Sequence, residues 1–332
     1  MRTAYTAHGM RSVGERFREA VSALPSPLRE GLLQTAESLQ ETILEVRIRT
    51  GRPIQLKKMT GSLFCDKNGR RISCGEKAPT VSREDTELCF RSLCGYSVHS
   101  HRDELVNGFI TVKGGHRAGI CGTAVRENER ITGVREITSI NLRIAGEVRG
   151  CADRLAEIVE QSTLGVIVAG PPCSGKTTLL RELARTLSSG ERGSYTTVAM
   201  VDERGELAAV WEGIPQNEIG ISCDVLDGYP KAEGMLIALR TLSPEVLVLD
   251  EIGSDEEAAA VIAALHTGVK VVTTAHAGSL RELYARRQTA GLIGSGAFDC
   301  AVLLEAGVPG RIRTVYPLKQ EREEGDRRWI SG

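Results

Sequence analysis

The chain is 332 residues long, which predicts two domains because single hydrophobic cores stop growing at about 250 to 300 residues. Its 42 basic and 43 acidic side chains give a formal net charge of −1, and this balance argues against a dedicated nucleic-acid binder, which usually carries a basic excess. No apolar run reaches the ~18 residues of a membrane span and no signal peptide is recognised, so we expect any membrane contact to be peripheral.

The nine cysteines are scattered, with neither a CxxC pair nor a histidine at zinc-ligand spacing. Their odd number favours reduced thiols in a cytosol over a disulfide framework. Cys89 and Cys94 flank an apolar helical stretch, and we expect them to be buried core thiols rather than metal ligands.

Two helices are predicted in the N-terminal part, after residues 1–25, which show no clean periodicity. Ser26 and Pro27 are typical of a helix N-cap and first helical residue. A capping pair, Ser82 and Asp85, predicts the start of the second helix. The first helix carries Leu28, Leu32 and Leu33 on one face, and the second carries Leu88, Phe90 and Leu93.

Strands are predicted between and after these helices. Residues 45–49 alternate polar and apolar side chains, residues 51–53 form a turn, and Ile54 begins a return strand. Residues 109–125 predict a hairpin with its tip at residues 113–116. We therefore expect a small α+β domain over residues 1–148, with the boundary near residues 146–150.

Residues 164–180, LGVIVAGPPCSGKTTLL, contain a buried strand, a glycine-bounded loop and the start of a helix. The loop has the P-loop (Walker A) pattern G-x-x-x-x-G-K-[ST]. Its backbone amides and the helix N-terminus direct positive potential at phosphate, Lys176 adds a full charge, and the Thr177 hydroxyl can bind Mg²⁺. The residues predicted to bind nucleotide here are Gly170, Pro171, Pro172, Cys173, Ser174, Gly175, Lys176, Thr177 and Thr178.

Cys173 is a departure from the commonest form of this loop, which has glycine at that position. Either Cys173 tolerates the backbone angle that glycine usually adopts, or the loop is slightly reshaped.

Strands and helices alternate over residues 149–318, which predicts an α/β domain with a RecA-like parallel sheet covered on both faces. Two helices are expected to begin at the capping pairs Ser254 with Glu257 and Ser279 with Glu282. Residues 319–332 form a charged tail that is poor in apolar residues. The expected strands are Leu164–Ala169, Thr197–Val201, Val246–Leu249, Val269–Thr274 and Ala301–Glu305.

Asp250 and Glu251 follow a buried apolar strand, where carboxylates are costly unless a cation or donors compensate them. In a P-loop protein this is the Walker B position, so Asp250 would hold Mg²⁺ and Glu251 would orient or deprotonate the attacking water. The alternative is that both residues are capping charges for the next helix.

Two further predicted strands end in polar groups, Asp202 with Glu203 and, further on, His276. Ligands bind at the carboxyl ends of strands in open α/β sheets, so four strand ends are expected to converge on one site. His276 is predicted to sense the γ-phosphate, although a lone histidine is more often a core residue.

These segments resemble the secretion-superfamily ATPases of type II and type IV systems, in which an Asp box, Walker B and a His box follow Walker A in this order. The resemblance rests on GPPCSGKTTLLRELAR, TVAMVDERGEL, YPKAEGMLIALRTLSPEVLVLDEIG and VVTTAHAGSL. Within the superfamily the chain is similar to the branch that serves endospore formation, and this likeness extends through EVRIRTGRP, GFITVKGGHRAGICGTAV and GVREITSINLRIAGEVRGCAD.

The resemblance implies a Mg²⁺-dependent ATPase that forms a homo-oligomeric, hexameric ring on the mother-cell side of the membranes around the endospore. Its partners would be the membrane proteins of a channel complex, and no specific nucleic acid is expected. Asp202 and Glu203 fall at the Asp box, so Glu203 and Glu251 compete for the role of catalytic base. Gly253-Ser254 stands where these ATPases usually have an arginine and an aspartate, and the role of that pair is not transferred.

Arginines of the first domain reach the bound phosphate in those families, and Arg117, Arg135 and Arg143 lie in the matching stretches. One or two of them are predicted to act as arginine fingers at a subunit interface, the alternative being a solvated strand face. Two other classes of function stay open, a RecA-like nucleic-acid motor and a scaffold that binds ATP without hydrolysing it.

Overall fold

The computed structural model describes residues 13–26, 28–37, 42–58, 60–73, 77 and 79–318. The predictions for Pro27 and for the tail of residues 319–332 lie outside the described residues. The chain divides into two compact units. The first comprises the described residues up to Gly146 together with Trp211–Gln216, and the second comprises Glu147–Val210 and the described residues from Asn217 onward.

The first unit contains helices on one six-stranded sheet. Its described elements are α1 (Val13–Ser22), α2 (Leu28–Glu37), β1 (Ile43–Arg49), β2 (Ile54–Lys58), β3 (Gly61–Cys65), α3 (Arg83–Leu93), a 3-10 turn (Val98–His101), α4 (Arg102–Val106), β4 (Phe109–Val112), β5 (His116–Glu127) and β6 (Arg130–Arg143). The strand order is β3-β2-β1-β6-β5-β4, and every neighbouring pair is antiparallel. The predicted α+β architecture of this part is confirmed.

Alternation along the strands gives this sheet one apolar and one polar face. Val46 lies opposite Leu56 and Leu142, and all three are fully buried in a core that the helices complete. On the other face, Arg143 lies opposite Arg117 in the ladder. The predicted hairpin is present as β4 and β5, joined by residues 113–115.

The predicted helix with Leu88, Phe90 and Leu93 is present as α3, and Leu88 lies on its exposed face with an exposed fraction of 42%. The buried stripe of α3 follows helical spacing through Thr86, Cys89 or Phe90, and Leu93, which leaves Leu88 on the opposite face. Cys89 and Cys94 are buried as expected, and burial raises the pKa of Cys89 to about 12 and that of Cys94 to about 11.

The second unit is built on a seven-stranded sheet. Its described elements are α5 (Asp153–Gln161), β7 (Gly165–Ala169), α6 (Lys176–Ser188), β8 (Val198–Asp202), β11 (Cys223–Asp227), α7 (Lys231–Thr241), β12 (Val246–Leu249), α8 (Asp255–His266), β13 (Lys270–Ala275), α9 (Leu280–Ala285), α10 (Arg287–Gly294), β14 (Phe298–Leu304) and β15 (Ile312–Pro317). Between β8 and β11 the chain forms a short ribbon of β9 (Val210–Trp211) and β10 (Ile214–Pro215), in the segment that belongs to the first unit from Trp211 to Gln216. The order is β11-β8-β12-β13-β7-β14-β15, and only β15 runs antiparallel to its neighbour.

Helices cover both faces of this sheet, as predicted for a RecA-like α/β domain. In β7, Ile167 and Ala169 pack into a core with α7, α8 and α10, whereas Val166 and Val168 pack into a second core with α5 and α6. All five predicted strands are present with ends shifted by a few residues, and β11 and β15 are additional strands.

The predicted helix caps are also present in part. Ser254 accepts a hydrogen bond from the amide of Glu257, and Ser279 accepts one from the amide of Glu282. Each glutamate accepts in turn from the amide of the residue before the serine rather than from the amide of the serine, and Glu282 also accepts from the Ser279 hydroxyl at 3.2 Å. In the part of the chain that the structure describes, no helix is long and apolar enough to cross a membrane.

Candidate functional site

The four strands β8, β12, β13 and β7 are neighbours in the sheet, and their carboxyl ends open on one cleft. The cleft has a volume of about 630 Å³, which suits a ligand of nucleotide size. Among the residues that line it are the loop residues Cys173 to Thr178 and the predicted site residues Asp202, Glu203, Asp250, Glu251 and His276. The structure therefore brings these sequence candidates together.

The loop after β7 is held in a tight path. Gly175 has a φ of 85°, and a Cβ atom there would lie 2.6 Å from the amide nitrogen of Gly310. That amide donates a hydrogen bond of 2.8 Å to the carbonyl of Ser174. Cys173 has a φ of 61°, so it adopts the left-handed backbone that glycine prefers. Of the two alternatives for Cys173, the structure shows the one in which cysteine tolerates this angle.

The Lys176 ammonium lies inside the loop and is only 8% exposed as a residue. It donates to the carbonyls of Gly170 at 2.9 Å and Pro171 at 3.0 Å, and to Nδ1 of His276 at 3.1 Å. Burial lowers the pKa of Lys176, although the charges of Glu251 and Asp250 oppose that shift. A phosphate group would replace the weaker carbonyl partners with charge-assisted ones.

The Glu251 carboxylate contacts an imidazole, that of His276, and a guanidinium, that of Arg286. Because an ammonium can only donate, the Nδ1 atom of His276 accepts from Lys176, and the ring proton lies on Nε2. That Nε2 atom is 3.2 Å from Oε2 of Glu251, and a guanidinium nitrogen of Arg286 is 3.5 Å from Oε1. The contacts form a continuous chain from Lys176 through His276 to Glu251.

Asp250 and Thr177 provide a donor set that fits a magnesium ion. Oδ1 of Asp250 accepts from the Thr274 hydroxyl at 2.7 Å and from the Glu251 amide at 2.8 Å. Within the described residues its Oδ2 atom accepts no hydrogen bond, and the Thr177 hydroxyl lines the same cleft. Mg²⁺ in phosphate sites is usually bound by one or two protein oxygens together with water and phosphate.

In the described part of the chain, no group of three or more histidine, cysteine or acidic side chains could hold a metal ion by itself.

Asp202 and Glu203 are adjacent in sequence but differ in environment. Asp202 is 3% exposed, and its two oxygens accept hydrogen bonds from the amides of Glu206, Leu207 and Ala208 at 2.8 to 3.0 Å. Burial raises the pKa of Asp202, and these backbone bonds act in the opposite direction. Glu203 is exposed, and the structure gives its carboxylate no partner among the described residues.

Two site residues have no counterpart among the sequence predictions. Lys231 lines the cleft from the first turn of α7 and donates to the main-chain carbonyl of Glu251. Arg286 lies at the junction of α9 and α10. Neither follows an apolar strand, which is the signal that identified the other candidates.

The three predicted arginine fingers lie in the first unit. Arg117 is on β5, where its guanidinium stacks 3.5 Å from the centre of the Phe109 ring. Arg135 and Arg143 are on β6 with side chains that are 64% and 66% exposed, and Arg143 lies 3.5 Å from Glu45. Their role as arginine fingers stays a prediction.

The sheet order and the cleft define a RecA-like α/β protein with the fold of secretion ATPases, and two of the solved structures that are similar to the chain illustrate this fold. One is the ATPase DotB of Legionella pneumophila, with a TM-score of 0.51 and 20% identity over 82% of this chain and 74% of that chain. The other is the pilus retraction motor PilT with bound ADP, with a TM-score of 0.53 and 16% identity over 86% of this chain and 80% of that chain. At these identities the likeness is one of fold.

The family is identified by sequence. The family model for sporulation stage III, protein AA, matches residues 15–323. Stage III sporulation protein AA of Bacillus subtilis (strain 168) is 37% identical over 303 residues, which cover 90% of this chain and 95% of that protein. The chain therefore belongs to the sporulation stage III protein AA family, the endospore-forming branch that the sequence motifs indicated.

Proposed function

We propose that this chain is a Mg²⁺-dependent ATPase that hydrolyses ATP to ADP and phosphate. The observation that carries the proposal is the contact chain from Lys176 through His276 to Glu251, next to Asp250, in a cleft of nucleotide size. A lysine at the phosphate loop, a carboxylate that can hold Mg²⁺ and a residue that can position the attacking water are the groups that phosphoryl transfer to water uses.

Each group has a role in this proposal. The loop amides and Lys176 bind the phosphates and compensate the charge that develops on them. Thr177 and Asp250 would hold Mg²⁺, which supplies further charge compensation when bound. Glu251 orients the attacking water and accepts its proton. His276 couples the position of Lys176 to that of Glu251, because its two ring nitrogens contact both side chains.

Glu203 is the second candidate for the base. It lines the same cleft and is exposed, but no side chain among the described residues fixes its carboxylate. Glu251 is fixed by His276 and Arg286, and a general base must be held in place relative to the water that it activates. We therefore assign the role to Glu251 in this proposal.

We further propose that the chain acts as a homo-oligomeric ring, in which the angle between the two units changes with hydrolysis. Family membership and the fold shared with a pilus retraction motor support a motor function in endospore formation. The ring is expected to be hexameric, to act on the mother-cell side and to bind membrane proteins of the channel complex. Arg117, Arg135 or Arg143 would then reach a neighbouring subunit's phosphate.

The proposal is tested by measuring phosphate release and particle mass together over a series of protein concentrations. A ring with nucleotide at its interfaces predicts that turnover per chain rises with assembly, and that Lys176→Ala abolishes it. Failure to release phosphate in a single turnover from a chain that binds ATP would establish a nucleotide-bound scaffold instead. A severalfold increase with single-stranded DNA would favour a nucleic-acid motor.

A further inference from the structure

Lys231 is a buried cation with few partners. The residue is 8% exposed, and within the described chain its ammonium makes one hydrogen bond, to the carbonyl of Glu251, and no ion pair. An ammonium group carries three donors, and burying a charge is unfavourable unless it is paired. Two donors of this ammonium thus lack an acceptor among the described residues. The Lys231 side chain lines the cleft at the carboxyl ends of the strands.

The position of Lys231 is fixed by the packing of α7. Gly234, in the first turn after Lys231, lies so close to β8 that a Cβ atom there would be 2.7 Å from a methyl group of Val201. The amide of Gly234 also donates to the carbonyl of Pro230 at 2.8 Å. Close packing of this kind holds the start of α7 at the carboxyl edge of the sheet.

The contacts of Glu251 indicate which part of a ligand Lys231 would meet. The main-chain carbonyl of Glu251 accepts a hydrogen bond from the Lys231 ammonium. The carboxylate of Glu251 contacts Nε2 of His276, and Nδ1 of the same ring contacts Lys176. In a P-loop the lysine lies at the outer phosphates. Lys231 and Lys176 therefore belong to the same end of the cleft, on different elements.

We propose that Lys231 is a second phosphate-binding cation, which contacts the terminal phosphate of a bound nucleoside triphosphate and so discriminates triphosphate from diphosphate. This inference rests on the proposed nucleotide site. The triphosphate carries more negative charge at its outer end than the diphosphate, so a cation at this position favours the triphosphate.

The test is equilibrium binding of a non-hydrolysable ATP analogue and of ADP, both with Mg²⁺, to Lys231→Gln. We expect the affinity for the ATP analogue to fall about 10-fold or more, because a charge-assisted contact is lost, and the affinity for ADP to fall less than about threefold. Lys231→Arg should retain most of the preference for the triphosphate. Lys270→Gln is the matched control, because Lys270 donates to the carbonyls of Val159 and Glu160 and does not line the cleft.

Equal losses for the two nucleotides, or no loss for either, would overturn the inference while leaving the proposed function in place. A wild-type chain that binds neither nucleotide would instead refute the proposed function. If Lys231→Gln does not fold, the inference can be tested on the wild-type chain by acylating its lysines and measuring the modification of each lysine by mass spectrometry. The ATP analogue should protect Lys231 severalfold more than ADP does and leave Lys270 unchanged, and equal protection by both nucleotides would contradict the assignment.

Discussion

Asp202 and Glu251 both follow buried strands at the same edge of one sheet, but their carboxylates have different kinds of partner. Asp202 is surrounded by the backbone amides of its own following turn. Glu251 contacts side chains from two other elements, His276 after β13 and Arg286 after α9. The comparison teaches that an acidic residue at the end of a buried strand can stabilise the turn that follows it, as Asp202 does, or can contact side chains of other elements, as the proposed base Glu251 does. The kind of partner distinguishes the two cases.

The largest effect is expected for Glu251→Gln. The substitution keeps the shape of the side chain but removes the proton acceptor, and general-base catalysis contributes about 10²- to 10⁴-fold. We therefore expect steady-state phosphate release to fall by about that factor while ATP binding, measured separately, is retained.

Glu203→Gln is the matched control at the neighbouring strand end. It should lower phosphate release by less than about 10-fold, since general-base catalysis is retained at Glu251. A larger loss of phosphate release in Glu203→Gln than in Glu251→Gln would assign the role of base to Glu203 and would contradict the functional difference between the two strand ends.

The second prediction concerns Asp202, whose loss should affect stability. Asp202→Asn replaces one of the two accepting oxygens by an amide group, so it loses at least the hydrogen bond from the amide of Glu206 or those from Leu207 and Ala208. We expect a loss of about 1 to 3 kcal/mol in the free energy of unfolding. Chemical denaturation measures it, with the exposed Asp224→Asn on β11 as a control that should change stability by less than about 0.5 kcal/mol.

The pH dependence of the same variant tests the electrostatics of Asp202. Burial raises the pKa of Asp202 above its ordinary value of 3.8, so the folded chain binds this proton more tightly than the unfolded chain does. The contribution of Asp202 to stability is therefore highest below pH 3.8 and decreases as the pH rises through the folded-state pKa. This decrease should be absent from Asp202→Asn, and an identical pH profile in both proteins would contradict the assigned shift.

The acidic strand ends were predictable from sequence because they break a local rule. A buried apolar run that ends in a charge is visible without a structure, and Asp202, Asp250 and Glu251 were found in this way. The partners of Asp202 were not predictable, because backbone amides have no sequence signature. Lys231 and Arg286 were missed because α7 packing and the α9–α10 junction bring them to the site through tertiary structure.

The fold, like the site, could be predicted from the sequence only in part. Alternating strand and helix signals gave the parallel sheet of the second unit, whereas the short strand β11 and the edge strand β15 carry weaker signals. The helix that carries Leu88, Phe90 and Leu93 was predicted without its buried face, and helical spacing puts Phe90 and Leu93 in the core but Leu88 on the exposed side.

The third prediction sharpens the role of the partners of Glu251. Arg286→Gln removes a half-exposed guanidinium, so we expect kcat to fall about two- to fivefold with KM nearly unchanged. Arg286→Lys should restore part of the loss. Arg287→Gln is the neighbouring control, because Arg287 is 84% exposed and pairs with Asp255. A change in KM alone would show that Arg286 acts on nucleotide binding rather than on Glu251.

The smallest effect is expected at Cys173, where strain and chain entropy act in opposite directions. A non-glycine residue with left-handed backbone costs about 1 to 2 kcal/mol, and glycine removes that cost but adds about 0.5 to 1 kcal/mol of unfolded-state entropy. Cys173→Gly should therefore stabilise the chain by no more than about 1.5 kcal/mol in thermal or chemical denaturation. Cys121→Gly, on strand β5, should destabilise it by about 0.5 to 1 kcal/mol because no strain is relieved there. Equal losses in both variants would show that the backbone of Cys173 is not strained.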